Sequence, residues 1–103
     1  MRVTARDVKE GYSLVNGRIL RVAETGGRVR FKTTGAPEVS YSPTQKVEVV
    51  GVPAELVAIN DRSLHGPSVE VVTRPREGIL VFTMDDGTTQ TYSTGETFYL
   101  WRY

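Results

Sequence analysis

The amino-acid sequence predicts an all-β protein made of two similar small units that pack together. Glycines and prolines occur along the whole chain, and β-branched or aromatic runs of about four to eight residues fill the intervals between them. No segment keeps the 3.6-residue period of an amphipathic helix over about eleven residues. Apolar and glycine positions recur after about fifty residues, which is typical of an internal repeat. The alternative is a single barrel or sandwich in which both halves share one core.

The two halves of the chain align along most of their length. One extra residue in a loop of the second half is needed to keep the alignment, and the two units predicted from it are residues 1–51 and 52–103. The aligned segments are Ser13-Leu14 with Ser63-Leu64, Ile19-x-x-Val22 with Val69-x-x-Val72, Gly27–Phe31 with Gly78–Phe82, Tyr41-Ser42 with Tyr92-Ser93, and Val47-x-Val49 with Phe98-x-Leu100.

Each half is expected to begin with a short turn and to continue as strands. Thr4 lies three residues before Asp7, which is a capping spacing, and Gly11 is placed to end a helix of one or two turns. Pro53–Val57 is either the matching turn or a linker. Strands are predicted near 12–15, 18–24, 28–34, 38–42 and 46–51, and again near 56–59, 68–73, 79–84, 89–93 and 97–102.

Glycine-containing turns and strand bulges account for the expected bending of the sheets. Thr25-Gly26-Gly27 and Asp85-Asp86-Gly87 are hairpin signals, because glycine adopts positive φ without steric cost. Gly35-Ala36-Pro37 takes the corresponding place in the first half. Ile19-x-x-Val22 and Val69-x-x-Val72 break strict alternation, which predicts a bulge in each strand. Small barrels need such bends in order to close.

This arrangement resembles the SH3-like small barrels, the family that includes Tudor and KOW-type modules. The resemblance is carried by residues 7–12 (Asp-Val-Lys-Glu-Gly-Tyr), residues 17–22 (Gly-Arg-Ile-Leu-Arg-Val) and the two hairpin strands that follow. The opening segment is also similar to short uncharacterised proteins of phages and actinobacteria. The resemblance implies two SH3-like barrels in tandem, an N-terminal one over 1–51 and a C-terminal one over 52–103.

Composition bounds the class of protein. The chain of 103 residues has 24% charged residues, no cysteine and a net charge of +1, which argues against non-specific DNA binding by the whole molecule. No apolar run reaches the roughly 20 residues that span a bilayer, and no secretory signal is visible. The expected location is the cytoplasm, or the host cytoplasm for a phage-encoded protein. Residues 1–51 carry nine basic and five acidic side chains, against four and seven in residues 52–103.

Residues that support catalysis are scarce. His65 is the only histidine, and no neighbour has metal-ligand spacing. Asp85-Asp86 is the only adjacent acidic pair, and Gly87 after it favours a turn over a metal or proton-sharing site. Phosphate-loop, dinucleotide-binding and nucleophile-elbow motifs are missing. The sequence therefore predicts a protein that is not an enzyme, with no catalytic residue, cofactor or metal site.

A basic surface is the first candidate binding site. Alternation along residues 28–32 puts Arg28, Arg30 and Lys32 on one face of a strand, with Val29 and Phe31 on the other. Arg18 and Arg21 lie on the preceding strand. Five cations on one small barrel are a plausible site for phosphates or for an acidic protein patch. The plainer interpretation is a solvated sheet face that needs charge for solubility.

The aromatic C-terminal segment is the second candidate site. If Phe98 and Leu100 point into a barrel, then Tyr99, Trp101 and Tyr103 share the opposite face. Three large rings on an outer face are costly to leave in water. They are therefore expected either to pack between the halves or between two copies, or to form a partner-binding patch, because Trp and Tyr dominate interface hot spots.

These observations favour a non-catalytic protein-binding module, a small phage-type or bacterial accessory protein that acts by occupying the surface of a partner protein. Tyr99, Trp101 and Tyr103 are the expected anchor, and Arg28, Arg30 and Lys32 are expected to add electrostatic steering. The alternative is an SH3-like nucleic-acid-binding module that uses Arg18, Arg21 and the same three cations. A third interpretation is a virion or assembly component that acts by self-association, so a homo-oligomer is also open.

Overall fold

The chain is all-β, as predicted. A computed structural model describes residues 1–102, in which the only helical elements are two 3₁₀ helices of three residues each. Contacts divide the chain after Val50 into two compact units, called here unit 1 (from Met1) and unit 2 (from Gly51). No helix of the described residues is long and apolar enough to cross a membrane.

Unit 1 contains six strands and one 3₁₀ helix, Ala5–Asp7, whose preceding Thr4 hydroxyl donates to the Asp7 carboxylate at 2.6 Å. Strand β1 pairs with β6, and β2, β3, β4 and β5 pair in that order, all antiparallel. The strands are β1 (Arg2–Thr4), β2 (Ser13–Leu14), β3 (Gly17–Thr25), β4 (Arg28–Thr33), β5 (Val39–Tyr41) and β6 (Lys46–Glu48).

Unit 2 repeats this order of elements with one strand fewer. Strand β7 pairs with β11, and β8, β9 and β10 form an antiparallel sheet with β9 in the centre. In place of a counterpart of β2, single bridges join Arg62 to Ser68 and Ser63 to Leu100. The elements are β7 (Gly51–Pro53), a 3₁₀ helix (Ala54–Leu56), β8 (Val69–Arg76), β9 (Ile79–Met84), β10 (Thr89–Ser93) and β11 (Thr97–Tyr99).

The predicted bulges occur at the same place in both units. In unit 1 the pairing shifts between Ile19 and Arg21, and in unit 2 it shifts between Val69 and Val71. The extra residue, Leu20 or Glu70, lets the strand bend while the residue before it stays buried. Val22 and Val72 then lie opposite Phe31 and Phe82, respectively.

The sequence alignment is wrong by one residue around Ser13. The amide of Val50 donates to the Ser13 carbonyl in unit 1, and the amide of Trp101 donates to the Arg62 carbonyl in unit 2. Arg62 therefore holds the place of Ser13, and Ser63 holds the place of Leu14. The identical dipeptides Ser13-Leu14 and Ser63-Leu64 misled the alignment.

The extra residue assigned to a loop lies instead within a strand. The turns Gly26-Gly27 and Glu77-Gly78 both contain two residues, but the pairing of β8 with β9 shifts between Thr73 and Arg76. Pro75 lies in that shift, and a proline has no N–H to donate to the ladder. The added residue is thus absorbed as a second bulge.

Several predicted element boundaries are also wrong. The strand predicted near 56–59 is absent, because the 3₁₀ helix Ala54–Leu56 occupies its start. The strands predicted at 46–51 and 97–102 are shorter, at Lys46–Glu48 and Thr97–Tyr99. Strands β1 and β7, which pair with those two, were not predicted at all. Each runs directly into a segment that was expected to be a turn, Thr4–Asp7 or Pro53–Val57, so no strand was assigned there.

Each unit buries a phenylalanine of its central strand against a tyrosine. Phe31 and Tyr41 have ring centroids 5.5 Å apart, and Phe82 and Tyr92 have them 5.3 Å apart at a similar tilt. Phe98 adds a third ring in unit 2, 5.5 Å from Phe82. The two units therefore use the same core positions, and unit 2 adds a third aromatic ring at the place of Val47.

Candidate functional site

The C-terminal segment of unit 2 pairs with the loop that follows the 3₁₀ helix. The amide of Leu64 donates to the Tyr99 carbonyl at 3.0 Å, and the amide of Trp101 donates to the Arg62 carbonyl at 2.9 Å. Ser63 and Leu100 are bridged between them. Because side chains alternate along extended backbone, this short ladder has one inner and one outer face.

The inner face of the ladder holds Ser63 and Leu100, which are both buried. The outer face holds four side chains, three of which (arginine, tyrosine and tryptophan) are of types enriched in protein interfaces. Leu64 is 38% exposed, Tyr99 is 53% exposed, and Trp101 is half-buried. We call this outer group the Trp101 patch, and its members are Arg62, Leu64, Tyr99 and Trp101.

A cation–π contact fixes half of the Trp101 patch. The guanidinium carbon of Arg62 lies 3.9 Å from the centroid of the Trp101 ring. The same guanidinium donates from Nε to the Gly66 carbonyl at 2.9 Å. Arginine stacked on an indole in this way loses little further freedom when a partner covers it. Arg62 and Trp101 are therefore held in place before any binding.

The absence of a side chain at Gly51 leaves space for the Tyr99 ring close to strand β7. Gly51 lies opposite Tyr99 in the β7–β11 pair. A Cβ at position 51 would lie 3.4 Å from Tyr99 Cδ1 and 2.8 Å from Thr97 Cγ2. The missing side chain at Gly51 thus lets β11 and the tyrosine ring lie close to β7, while more than half of Tyr99 stays in solvent.

The aromatic prediction covers part of this patch. Burial alternates as expected, with Phe98 and Leu100 inside and Tyr99 and Trp101 outside. Tyr103 lies outside the described residues. Arg62 and Leu64 were not predicted as site residues. Both lie beside the aromatic segment through backbone bonds between parts of the chain that are distant in sequence, which no local pattern predicts.

The predicted basic face exists in unit 1. Strand β4 exposes Arg28, Arg30 and Lys32 and buries the residues between them. Arg21 lies directly opposite Lys32 across the β3–β4 pair, so both cations are on the same outer face. Arg18 is exposed at the start of β3, where its amide donates to the Thr34 hydroxyl at 3.1 Å.

The cations of the basic face differ in how far they are already bound. Arg28 donates to the Ser40 hydroxyl at 2.7 Å, and Arg30 lies 3.7 Å from the Glu38 carboxylate. Arg21 and Lys32 have no carboxylate within 4.0 Å among residues 1–102. Like charges directly opposite on a sheet repel each other. This pair is therefore the part of the face best suited to an anionic group.

The acidic pair Asp85-Asp86 forms a turn. Asp85 accepts the Ser68 amide at 3.1 Å, and Asp86 accepts both the hydroxyl and the amide of Thr88. The hydrogen bond from the Thr88 hydroxyl, and then that from its amide, lower the pKa of Asp86 below its usual value. Among residues 1–102 there is no group of three or more His, Cys, Asp or Glu side chains that would hold a metal ion.

An open depression of about 400 Å³ lies at the end of the β8–β9 hairpin. Its charged side chains are those of Arg74, Arg76 and Glu77, all of them exposed. A ligand site usually fixes its ligand with polar groups in a desolvated pocket. This depression lacks that feature, so the Trp101 patch and the basic face remain the two candidate sites.

Comparisons with protein-family models, with curated proteins and with solved structures find no match to this chain. The resemblance to SH3-like modules and to phage proteins stays a prediction.

Proposed function

We propose that the protein is a non-catalytic protein-binding module, a small phage-type or bacterial accessory protein that occupies the surface of a partner protein. The observation that carries this proposal is the Trp101 patch, in which Arg62 stacks on Trp101 beside the exposed Tyr99 ring. Trp, Tyr and Arg are the residue types that dominate interface hot spots.

The side chains of the Trp101 patch are arranged so that a small contact area can bind a partner tightly. Arg62 is fixed by the Trp101 ring and the Gly66 carbonyl, and Trp101 is tied by its amide to the same loop. Ordering a free side chain on binding costs about 0.5–1.5 kcal/mol. Side chains that are ordered beforehand avoid much of that cost, so Arg62 and Trp101 can anchor a partner with little loss of freedom.

The basic face of unit 1 is proposed to assist by long-range steering. Arg28, Arg30 and Lys32 are solvent-exposed, and charges of this kind raise association rates more than they raise affinity. A partner with an acidic surface would therefore bind faster at low salt. This face is expected to raise the rate of association and to leave the rate of dissociation nearly unchanged.

Affinity capture from a bacterial lysate tests the patch. We expect the wild-type chain to retain a protein that Trp101→Ala and Tyr99→Ala lose. With the purified partner, Trp101→Ala should weaken binding by at least about thirtyfold, which is a hot-spot loss of roughly 2 kcal/mol. Tyr99→Ala separates binding from folding, because its ring is mainly in solvent.

Val15→Ala is the matched control. Val15 holds in unit 1 the place of Leu64 in unit 2, and it is 73% exposed. It should retain the partner as the wild type does. Equal capture by the wild type, Trp101→Ala and Tyr99→Ala would reject the Trp101 patch as the binding site.

Nucleic-acid binding is the second candidate function. The specific observation in its favour is the Arg21–Lys32 pair, two cations directly opposite each other without a carboxylate partner among residues 1–102. Arg18, Arg28 and Arg30 would add phosphate contacts. A salt titration with a DNA or RNA oligomer tests it, since each neutralised phosphate steepens the salt dependence. No binding at low salt, or binding that survives Arg21→Ala with Lys32→Ala, would reject it.

A further inference from the structure

Strand β10 is an open sheet edge. It pairs with β9 on one side, and no other strand of residues 1–102 pairs with it. Its sequence is Thr-Gln-Thr-Tyr-Ser, without a charged residue or a proline. Natural proteins usually protect a sheet edge with charges, proline or very short strands, because its free backbone groups template further pairing. β10 has none of these protections.

Backbone hydrogen bonds at both ends of the β9–β10 hairpin show which groups of β10 are free. The amide of Met84 donates to the Thr88 carbonyl at 2.8 Å, and the amide of Thr94 donates to the Gly78 carbonyl at 2.9 Å. Since bonded pairs alternate in an antiparallel ladder, Gln90 and Tyr92 also bond to β9. The backbone N–H and C=O of Thr89 and Thr91 therefore point away from β9.

Ser93 also faces outward but is already used. Its amide donates to the Glu96 carboxylate at 3.2 Å, and its carbonyl accepts the Glu96 amide at 3.0 Å. Within residues 1–102, Thr89 and Thr91 have no such partner for their outward backbone groups. The open part of the edge is thus two residues with two donors and two acceptors.

The corresponding edge of unit 1 is blocked. Ser40 holds the place of Thr91, since the two lie opposite Arg30 and Val81 in the matching registers. The Arg28 guanidinium binds the Ser40 hydroxyl at 2.7 Å and the Ser40 carbonyl at 3.3 Å. Unit 2 has Ile79 in place of Arg28, and an isoleucine cannot donate these bonds. Of these two corresponding edges within residues 1–102, the one at Ser40 has its carbonyl occupied, whereas the one at Thr91 has both outward backbone groups free.

We propose that β10 pairs antiparallel with β10 of a second copy of this chain. The two-fold register centred on Gln90 places Thr89 of each copy opposite Thr91 of the other. Every free donor and acceptor then finds a partner, in four intermolecular backbone bonds. Because β10 carries no charge, two identical strands meet without like-charge repulsion. Threonines opposite each other on the outer face are a favourable cross-strand pair.

This occupant fits better than a foreign peptide. Recognition of a foreign strand takes its specificity from pockets for alternate side chains. The outward side chains of β10 belong to Thr89, Thr91 and Ser93, which offer no charge or pocket for that purpose. Self-pairing needs only the symmetric register described above.

Sedimentation equilibrium tests the pairing. We expect the wild-type chain to form a reversible dimer as its concentration rises from about 10 μM to about 1 mM, the weak range of a small interface. Thr91→Pro removes an outward N–H without touching the β9 ladder, and Thr91→Lys places like charges beside the axis. Both should be monomeric over the same range. Thr73→Lys, on the exposed side of β8, is the charge control and should dimerise as the wild type does.

Amide hydrogen exchange gives a second readout that does not depend on variants. Exchange at Thr89 and Thr91 should slow as the protein concentration rises, while Ser40 should not change. A wild-type chain that stays monomeric at about 1 mM would overturn the proposal. So would a dimer that survives Thr91→Pro and Thr91→Lys, or one that Trp101→Ala abolishes and these two variants do not.

Discussion

Units 1 and 2 have the same framework and different outer surfaces. Both begin with a short strand and a 3₁₀ helix, and both carry a bulge at the same step of the long strand. The positions that match between units are core residues, such as Phe31 and Phe82. Many of the positions that differ are exposed or half-buried, such as Arg28 against Ile79 and Glu48 against Tyr99. The shared framework restrains the inner face more than the outer face, which is free to acquire a binding role.

Three exchanges show how the outer faces diverged. Arg28 of unit 1 corresponds to Ile79 of unit 2, which exchanges a blocked sheet edge for an open one. Glu48 corresponds to Tyr99, since they lie opposite Arg2 and Gly51 in the same register. Val50, which is buried, corresponds to the half-buried Trp101. In two of these exchanges unit 1 has a charged side chain where unit 2 has an apolar or aromatic one, and in the third a buried valine is replaced by a half-buried tryptophan.

The largest expected effect comes from removing the central phenylalanine of each unit. Phe31→Ala and Phe82→Ala should each lower the free energy of unfolding by about 3–5 kcal/mol, because both side chains are fully buried. Phe82→Ala should cost more, since Phe82 contacts two rings, Tyr92 and Phe98. Urea denaturation measures both. A larger loss for Phe31→Ala would show that the second aromatic contact of Phe82 does not stabilise unit 2.

The next largest expected effect is a difference in tolerance to substitution between β7 and its counterpart β1. Gly51→Ala should lower the free energy of unfolding by about 1–3 kcal/mol, because the added Cβ overlaps Thr97 Cγ2 at 2.8 Å. Arg2 holds the same place in unit 1 and is exposed. Arg2→Ala should therefore change the free energy of unfolding by less than about 0.5 kcal/mol. Thermal and urea unfolding measure both variants. If Gly51→Ala and Arg2→Ala had equal effects, the tight contact under Tyr99 would not exist.

A buried hydroxyl gives a stabilising prediction. Thr33 is buried, its Oγ1 has no hydrogen-bond partner among residues 1–102, and unit 2 has Met84 at this place. Thr33→Val should raise the free energy of unfolding by about 1 kcal/mol, because an unsatisfied buried hydroxyl is costly. Thr34→Val is the control and should destabilise, since its hydroxyl accepts the Arg18 amide. Urea titration measures both variants, and a loss of stability in Thr33→Val would contradict the prediction.

The smallest effect is a pH dependence in unit 2. Burial, and then the nearby Glu96 carboxylate, raise the pKa of Tyr92 above its ordinary value of 10.0. A group with a raised pKa in the folded state stabilises fully below the unfolded pKa and loses this contribution as pH rises through the folded pKa. Between about pH 8 and about pH 11, the stability of the wild type should therefore fall more steeply than that of Tyr92→Phe. Parallel curves would exclude the effect.

The framework could be predicted from the sequence because it repeats. Strands β4, β9 and β10 and the bulges at Leu20 and Glu70 follow from alternation and from its interruption. Strands β1 and β7 were not predicted, because each runs directly into a segment whose residues indicate a turn. The candidate sites were predicted only in part. Arg28, Arg30 and Lys32 stand out by alternation, whereas Arg62 joins Trp101 through a bond between segments distant in the chain.

The most direct test of the Trp101 patch uses the equivalence of Tyr99 and Glu48. A photo-reactive phenylalanine analogue is placed at one position or the other, and each chain is irradiated in bacterial cells. Both positions lie on the outer strand of the matching pair, β11 or β6, so backbone placement is controlled. We expect a discrete cross-linked partner protein from position 99 and none from position 48. Equal adducts from both positions, or an adduct from position 48 alone, would contradict the account.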